Sequence, residues 1–468
     1  MLGDRHGAQT APNLTPPPVN AATAHARDHN ALSYHVRVSI PPSSGYADSW
    51  YVASAPTAPQ RPVLDGPVQA DVAILGAGFT GLSAALTLAQ AGLSVIVLEA
   101  GRTGWGASGR NGGQVLAGFG CDQQVLEREL GESHARLLFD YSREGIALVK
   151  SRIAEHGLDC HWRDGAADVA LRPSQAAGLR LQAERMARLY DHPLTYWDAD
   201  AVQAEVASPR FIAGLHDASA GHLHPLRYVQ GLANAAETAG ARVFEHSAVT
   251  AIQRGRRVVL HTERGCVSAD FAVIAGNALL EGIEPQLEQA IMPVGTYIGA
   301  TPPLGEARAR ELIRNDIAIA DVNWALDYFR LTADHRLLFG GMASYSAIPP
   351  PGLAALMTRR MQAVFPQLHD VALSSVWGGM IDITLNRAPH FGRLDRNLYF
   401  AQGFSGHGVA ASGLAGTLIA RAIGGQASGL DAFAAIPHGR FPGGRLLRRP
   451  MLVAAMSWYK LRDRLGWD

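Results

Sequence analysis

The feature that most constrains the fold is a glycine-rich turn placed between an apolar strand and an apolar helix. From Ala70 the chain reads "ADVAIL", "GAGFTG", "LSAALTLAQAG" and "SVIVLEA", which predicts a strand, a tight turn, a helix and a second strand. The turn has the spacing G-x-G-x-x-G, and an acidic residue ends the second strand. In that context the motif is typical of a dinucleotide-binding βαβ unit, so the sequence predicts an α/β fold with a Rossmann-type domain.

Each glycine of the motif has a physical role. Gly76 permits the sharp turn, Gly78 lets the backbone approach a pyrophosphate, and Gly81 allows the helix and strand to pack closely. Glu99 follows Gly81 by 18 residues, where a carboxylate accepts hydrogen bonds from a ribose diol and repels a 2′-phosphate. FAD or NAD is therefore favoured over NADP, and the motif alone does not choose between those two. The expected cofactor contacts here are Gly76, Gly78, Phe79, Thr80, Gly81, Glu99 and Ala100.

Composition excludes several classes of function. The 468 residues are 47% apolar and carry 41 basic and 41 acidic side chains, so no electrostatic footprint of a nucleic-acid-binding protein is present. Three widely spaced cysteines indicate neither a disulfide framework nor a zinc site. No apolar run approaches the roughly 20 residues of a membrane-spanning helix, and no secretory signal is visible. We expect a cytoplasmic protein whose oligomeric state is left open.

The segment after the second strand narrows the choice of cofactor. Residues 99–114, "EAGRTGWGASGRNGGQ", resemble the flavin-side loop of the FAD-dependent oxidoreductases of the D-amino-acid oxidase and sarcosine oxidase superfamily. Together with "SWYVASA", "HLHPLRYVQGLA" and "GFSGHGVA", they look most like the γ-glutamylputrescine oxidase branch, from about residue 49 to the C-terminus. The resemblance implies an FAD-binding domain interleaved with a sheet-containing substrate domain. It also implies dissociable FAD, because "SSVWGGMIDIT" has no cysteine and "GWGASG" no histidine for a covalent link.

The resemblance also assigns cofactor contacts outside the first turn. Small residues suit a backbone that passes close to a flat ring, and the turn "GFSGHG" opens a helix whose amides would stabilise negative charge on reduced flavin. The residues expected near FAD are Ser108, Asn111, Gly112, Gly113, Gln114, the backbone of Val249, Gly276, Gly403, Ser405, Gly406, His407 and Gly408.

The domain organisation follows the local patterns. Helices are predicted over 122–158, 173–190 and 352–364, and strands recur within 243–274 and 291–342. The expected parts are a disordered leader (1–45), an FAD-binding domain (46–135, 212–288 and 380–438), a substrate domain (136–211 and 289–379) and an amphipathic C-terminal tail (439–468).

The predicted reaction is oxidation of a small-molecule amine, with a hydride passing to flavin N5 and oxygen as acceptor. His407 is expected beside the flavin. In "NWALDYFRL", Trp324, Tyr328 and Arg330 share one strand face, and they would supply an apolar wall and a clamp for a distant carboxylate. Which strand face lines the pocket is left open.

Two departures from sarcosine oxidases bear on the substrate and the acceptor. Ala410 occupies the place of a lysine that holds the substrate carboxylate in those enzymes, which favours a polyamine-like substrate. No lysine lies between Lys150 and Lys460, so an oxidase would need His407 or an arginine for reaction with oxygen.

Other interpretations stay open at this stage. One is a D-amino-acid or N-methyl-amino-acid dehydrogenase that passes electrons to a quinone or a protein, and another is a flavin-binding regulatory module with little turnover. Asp382, Arg387 and His390 are weaker candidates for the cofactor's surroundings. His222 and His224 have metal-like spacing but no accompanying carboxylate cluster, so no metal site is predicted.

Overall fold

The computed structural model of the chain describes residues 45–280, 282–323, 326–344 and 349–442. The expected leader (1–45, apart from Gly45), Trp324 and all but the first four residues of the expected tail lie outside the described residues. Within them the helices are α1 (Trp50–Ser54), α2 (Phe79–Gln90), α3 (Gln123–Leu130), α4 (Glu132–His156), α5 (Pro173–Tyr190), α6 (Ala199–Glu205), α7 (Pro225–Thr238), α8 (Pro285–Glu288), α9 (Glu306–Leu312), α10 (Leu353–Val364), α11 (Gly408–Ile423) and α12 (Ser428–Ala434).

The strands form two sheets, and consecutive groups of strands along the chain belong alternately to one sheet and the other. They are β1 (Gly66–Leu75), β2 (Val95–Leu98), β3 (Gln114–Val115), β4 (Arg163–Ala170), β5 (Thr195–Trp197), β6 (Ala213–His222), β7 (Arg242–Phe244), β8 (Ala251–Gln253), β9 (Val258–His261), β10 (Gly265–Ile274), β11 (Met292–Ala300), β12 (Ala318–Asp321), β13 (Tyr328–Leu331), β14 (Leu337–Ser344), β15 (Ser375–Ile383), β16 (His390–Asp395) and β17 (Leu398–Gln402).

The first sheet contains the predicted βαβ unit. Its order is β16-β17-β10-β1-β2-β7, and β1 lies between β10 and β2 with both pairings parallel. Helix α2 contacts α7 and α11, so apolar side chains of three helices cover one sheet face. A Cβ on Gly81 would lie 1.9 Å from the carbonyl oxygen of Gly76, so only glycine allows α2 to begin this close to the end of β1.

The second sheet has the order β15-β11-β14-β13-β12-β4-β6-β3. β3 pairs with β6 and carries the chain into this sheet directly after the glycine-rich loop of residues 99–113. The two sheets thus meet where the predicted cofactor loop ends. The boundaries assigned to the domains remain a prediction.

One predicted strand is shorter than the sequence pattern indicated. Among the described residues of "NWALDYFRL", Tyr328–Leu331 form the strand β13, and Asn323, Leu326 and Asp327 lie outside it because the chain turns between β12 and β13. The Asp321 amide donates to the Asp327 carbonyl at 2.9 Å, and the Asp321 side chain accepts from both the backbone and side chain of Asn323. The preceding strand, β12, was not predicted because its four residues are too few to show periodicity.

Among the described residues, no helix combines the length and the apolar content needed to cross a bilayer.

Candidate cofactor and substrate site

The turn after β1 forms the floor of a nucleotide site. Gly76 has φ +104° and donates to the Leu98 carbonyl at 2.8 Å, which links the ends of β1 and β2. Gly78 caps α2 without a side-chain hydrogen bond, and the Phe79 amide donates to Ser108 Oγ at 3.0 Å. Because the first amides of a helix have no intrahelical acceptor, this end of α2 is built to bind a phosphate. The structure thus brings Ser108 to the turn.

Glu99 connects this turn to the loop after β2. Its two carboxylate oxygens accept hydrogen bonds from the amides of Ala77, at 2.8 Å, and Gly101, at 2.9 Å. Burial raises the pKa of Glu99, while these two amides favour its charged form. Each oxygen keeps a lone pair, so the carboxylate is suited to accept from a ribose diol. Ala100 follows it at an exposed position.

Two further segments border the nucleotide site. The Ser247 amide donates to the Glu99 carbonyl at 2.8 Å, so the stretch that includes half-buried Val249 runs beside Glu99. A Cβ on Gly76 would lie 2.6 Å from the Ala275 carbonyl oxygen, which places Gly276 against the turn. The structure therefore brings Val249 and Gly276 to the two sides of the site.

The loop that leads into the second sheet is fixed by its own asparagine. The Asn111 side chain donates to the carbonyls of Ala107 and Ser108, each at 3.0 Å, and accepts from the Gly113 amide at 2.8 Å. Gly113 has φ +77°, and a Cβ there would lie 2.1 Å from the Leu223 carbonyl oxygen. Gln114 donates to the Ile319 carbonyl at 3.2 Å. The loop thus has a single defined path between the two sheets.

Arg330, on β13 of the second sheet, holds this loop. Its guanidinium donates to the carbonyls of Gly112 at 2.6 Å, Leu223 at 2.9 Å and Leu331 at 3.0 Å, and to the Tyr51 hydroxyl at 3.2 Å. Only 4% of Arg330 is exposed. A guanidinium with these partners positions the loop, which does not favour the predicted role as a clamp for a distant substrate carboxylate.

Tyr328 lies next to Arg330 but has a different environment. A Cβ on Gly112 would lie 2.8 Å from Tyr328 Cε2, so the ring packs on the cofactor loop. Tyr328 is half-buried, and its ring also packs on Gly340, where a Cβ would lie 2.1 Å from Tyr328 Cε2. Of the residues predicted to line the substrate pocket, Tyr328 lies beside the cofactor loop, and Trp324 lies outside the described residues.

The turn of residues 403–408 is anchored by a buried carboxylate. Asp382 Oδ2 accepts from the Gly403 amide at 2.5 Å, and the Asp382 carbonyl accepts from the Ser405 amide at 3.0 Å. The Asn277 side chain pairs with Asp382 when its nitrogen faces the carboxylate, at 2.8 Å to each oxygen. Burial raises the pKa of Asp382 to about 6. One side chain thus joins the ends of β10, β15 and β17.

His407 lies at the N-terminus of α11, as predicted, between exposed Gly406 and half-buried Gly408. Its Nε2 lies 3.1 Å from the Ala117 carbonyl, so this nitrogen carries the proton. Burial lowers the pKa of His407, which favours the neutral imidazole at neutral pH. The geometry therefore supports a hydrogen-bonding role better than the alternative role as a cation.

His222 and His224, whose spacing resembles that of metal ligands, form hydrogen bonds with other groups of the protein. His222 Nε2 lies 2.7 Å from the Asp316 carbonyl, and His224 bonds to Ser54 Oγ at 3.0 Å and to the Arg227 amide at 3.2 Å. In the described part of the chain, no group of three or more metal-ligating side chains is found.

Sequence reasoning missed one residue and gave too little weight to another. Tyr51 is fully buried and donates to the Asn111 carbonyl at 2.7 Å. It belongs to "SWYVASA", a segment already noted for its resemblance, and this was the available signal. Asp382 was only a weak candidate, because its partners come from strands that are distant in sequence.

Comparisons with known proteins give the relatives of this chain. Residues 71–422 match the family described as FAD dependent oxidoreductase. The chain is 44% identical over 422 residues to the γ-glutamylputrescine oxidoreductase of Escherichia coli (strain K12), across 90% of this chain and 99% of that protein.

Two solved structures share the fold. Glycine oxidase from Geobacillus kaustophilus has a TM-score of 0.67 at 20% identity, over 80% of this chain and 100% of its own. L-proline dehydrogenase from P. horikoshii has a TM-score of 0.65 at 19% identity, over 78% of this chain and 96% of its own. Since one is named an oxidase and the other a dehydrogenase, the fold alone does not separate these activities.

Proposed function

Because the chain belongs to the family of FAD-dependent oxidoreductases, we propose that it oxidises the terminal primary amine of γ-glutamylputrescine or a close analogue. Its cofactor is FAD. The observation that carries the substrate proposal is the 44% identity to the E. coli γ-glutamylputrescine oxidoreductase, since it extends over 99% of that protein. Both sheets and the loop between them are thus included in the likeness.

The residues of the site fit FAD. The α2 turn would hold the pyrophosphate, Glu99 the adenosine ribose, and the 111–114 loop with the 403–408 turn the ring system. FAD supplies the two-electron acceptor for a carbon–nitrogen bond. The residues of the protein would orient the amine and exclude water. His407 would keep its proton on Nε2. We propose that FAD is bound without a covalent link.

The overall change balances with oxygen as acceptor. The aminomethylene group loses two electrons and two protons to become an imine, which water hydrolyses to an aldehyde and ammonia. Oxygen takes up the two electrons and two protons as hydrogen peroxide. Oxygen as acceptor is part of the proposal, as is location in the cytoplasm.

The test is the visible spectrum of the purified protein under anaerobic conditions, before and after addition of γ-glutamylputrescine and then after admission of air. We expect the flavin band to bleach and then recover, with hydrogen peroxide formed. Bleaching without recovery would retain the substrate and make the enzyme a dehydrogenase. An unbleached band would overturn the substrate, and D-amino acids would be tested next.

A further inference from the structure

A row of half-buried residues crosses the second sheet. Tyr328 on β13 pairs with Ala320 on β12, and Ala320 pairs with Asp168 on β4. Residues paired across neighbouring strands point to the same face of a sheet. All three are half-buried, whereas the residues on either side of them along β4 and β12 are buried. Because these strands are interior to the sheet, the partial exposure indicates an open slot above this row.

The slot begins at the cofactor loop. Tyr328 packs on Gly112 at one end, and Asp168 lies two strands away, about 10 Å from Tyr328 at the usual strand spacing. The small side chain of Ala320 leaves space between the side chains of Tyr328 and Asp168. Gln114 donates to the Ile319 carbonyl on β12, and Leu116 packs on Ala166 and Ala318, so the chain after the cofactor loop forms one wall.

Asp168 lacks the partners that a carboxylate in this position normally has. Among the described residues, no hydrogen bond or ion pair involves its side chain. The neighbouring acids are bound elsewhere: Asp217 to His192 and Ser219, and Asp321 to Asn323. Burial, with added repulsion from Asp217 and Asp321, raises the pKa of Asp168 to about 6. A cation placed in the slot would relieve both the desolvation and the repulsion.

We propose that Asp168 is the far subsite of the substrate pocket and binds a second ammonium group, several bonds from the amine that is oxidised. This inference rests on the proposed function and adds to it the feature by which the substrate is selected. In γ-glutamylputrescine the second ammonium is the α-amino group of the glutamyl moiety. Arg330, with its guanidinium already bound to the loop, would not take part in this recognition.

The test compares two substrates that differ by this one group. The first is γ-glutamylputrescine, and the second is glutarylputrescine, which keeps the carboxylate and carries hydrogen in place of the α-amino group. We expect Asp168→Asn to lower kcat/KM about tenfold or more for the first substrate, mainly through KM, because a charge-assisted hydrogen bond is lost. With glutarylputrescine the variant should show no loss, and kcat/KM should equal or exceed that of the wild type, because the substrate keeps only a carboxylate near Asp168.

The control is Asp164→Asn on the same strand, where the carboxylate is exposed and paired with Lys150. This variant should treat both substrates as the wild type does. FAD content and the thermal midpoint show that each variant is folded. Equal losses of Asp168→Asn on both substrates, or no loss on either, would overturn the subsite. If the wild-type enzyme did not oxidise γ-glutamylputrescine, the proposed function would fail, which is a distinct result.

Discussion

At the scale of single residues, Glu99 provides the sharpest test of the nucleotide site. Its oxygens each accept from one amide, whereas a glutamine has one acceptor oxygen and would turn an NH2 group toward Ala77 or Gly101. We expect Glu99→Gln to raise the Kd for FAD about tenfold or more, measured by titrating the apoprotein with FAD. Glu263→Gln, at an exposed position, is the control. An unchanged Kd would show that Glu99 does not contact the cofactor.

Arg330 permits a choice between two roles, positioning the loop and binding substrate. Lysine cannot reproduce four donor contacts in a fixed plane, so Arg330→Lys would leave buried carbonyls of the loop unpaired. We expect a loss of about 2–4 kcal/mol in stability and faster release of FAD. Thermal unfolding and FAD retention on a desalting column measure these two effects. A variant of normal stability with a raised KM alone would instead support the carboxylate clamp.

At the scale of elements, Asp382 joins three strand ends under the turn that opens α11. Asp382→Ala removes the acceptor for the Gly403 amide, so we expect the 403–408 turn to shift and the flavin band to change in position or shape. Asp382→Asn keeps one acceptor oxygen and should largely restore the spectrum. The absorption and visible circular dichroism spectra of both holoproteins make the comparison. If the two variants had the same spectrum as the wild type, the turn would not depend on this carboxylate.

The elements also show how far sequence reasoning reaches. The βαβ unit and the helix over 173–190 were predictable, because their hydrophobic periodicity and the residues that begin and end them are local in sequence. The slot across the second sheet was not, because the register that aligns Asp168 with Ala320 joins strands about 150 residues apart along the chain. Similarly, the sequence pattern suggests that the guanidinium of Arg330 is free to bind a substrate. Only the fold shows that it donates its hydrogen bonds to backbone carbonyls.

At the scale of the whole molecule, buried titratable groups make stability depend on pH. Burial lowers the pKa of His222 and His390 to about 3 and of His438 to about 4. It raises the pKa of Asp168 and Asp382 to about 6, and it also raises the pKa of Glu99, Asp321 and Asp327. The pKa is also lowered, by the same cause, for His161, His216, His224 and His407.

These two sets act in opposite directions between pH 4 and 7. The histidines stay neutral in the fold but become charged in the unfolded chain, so their contribution is complete above about pH 6.5 and is lost as the pH falls toward their lowered pKa values. The buried acids contribute below about pH 4, and this contribution is lost as the pH rises through their raised pKa values, which are about 6 for Asp168 and Asp382. Because the histidines are more numerous, we expect the thermal midpoint of the holoenzyme to rise from pH 4 to pH 7. His390→Asn should flatten this rise, and His369→Asn, at an exposed position, should not. A midpoint that instead fell over this range would mean that the buried acids dominate.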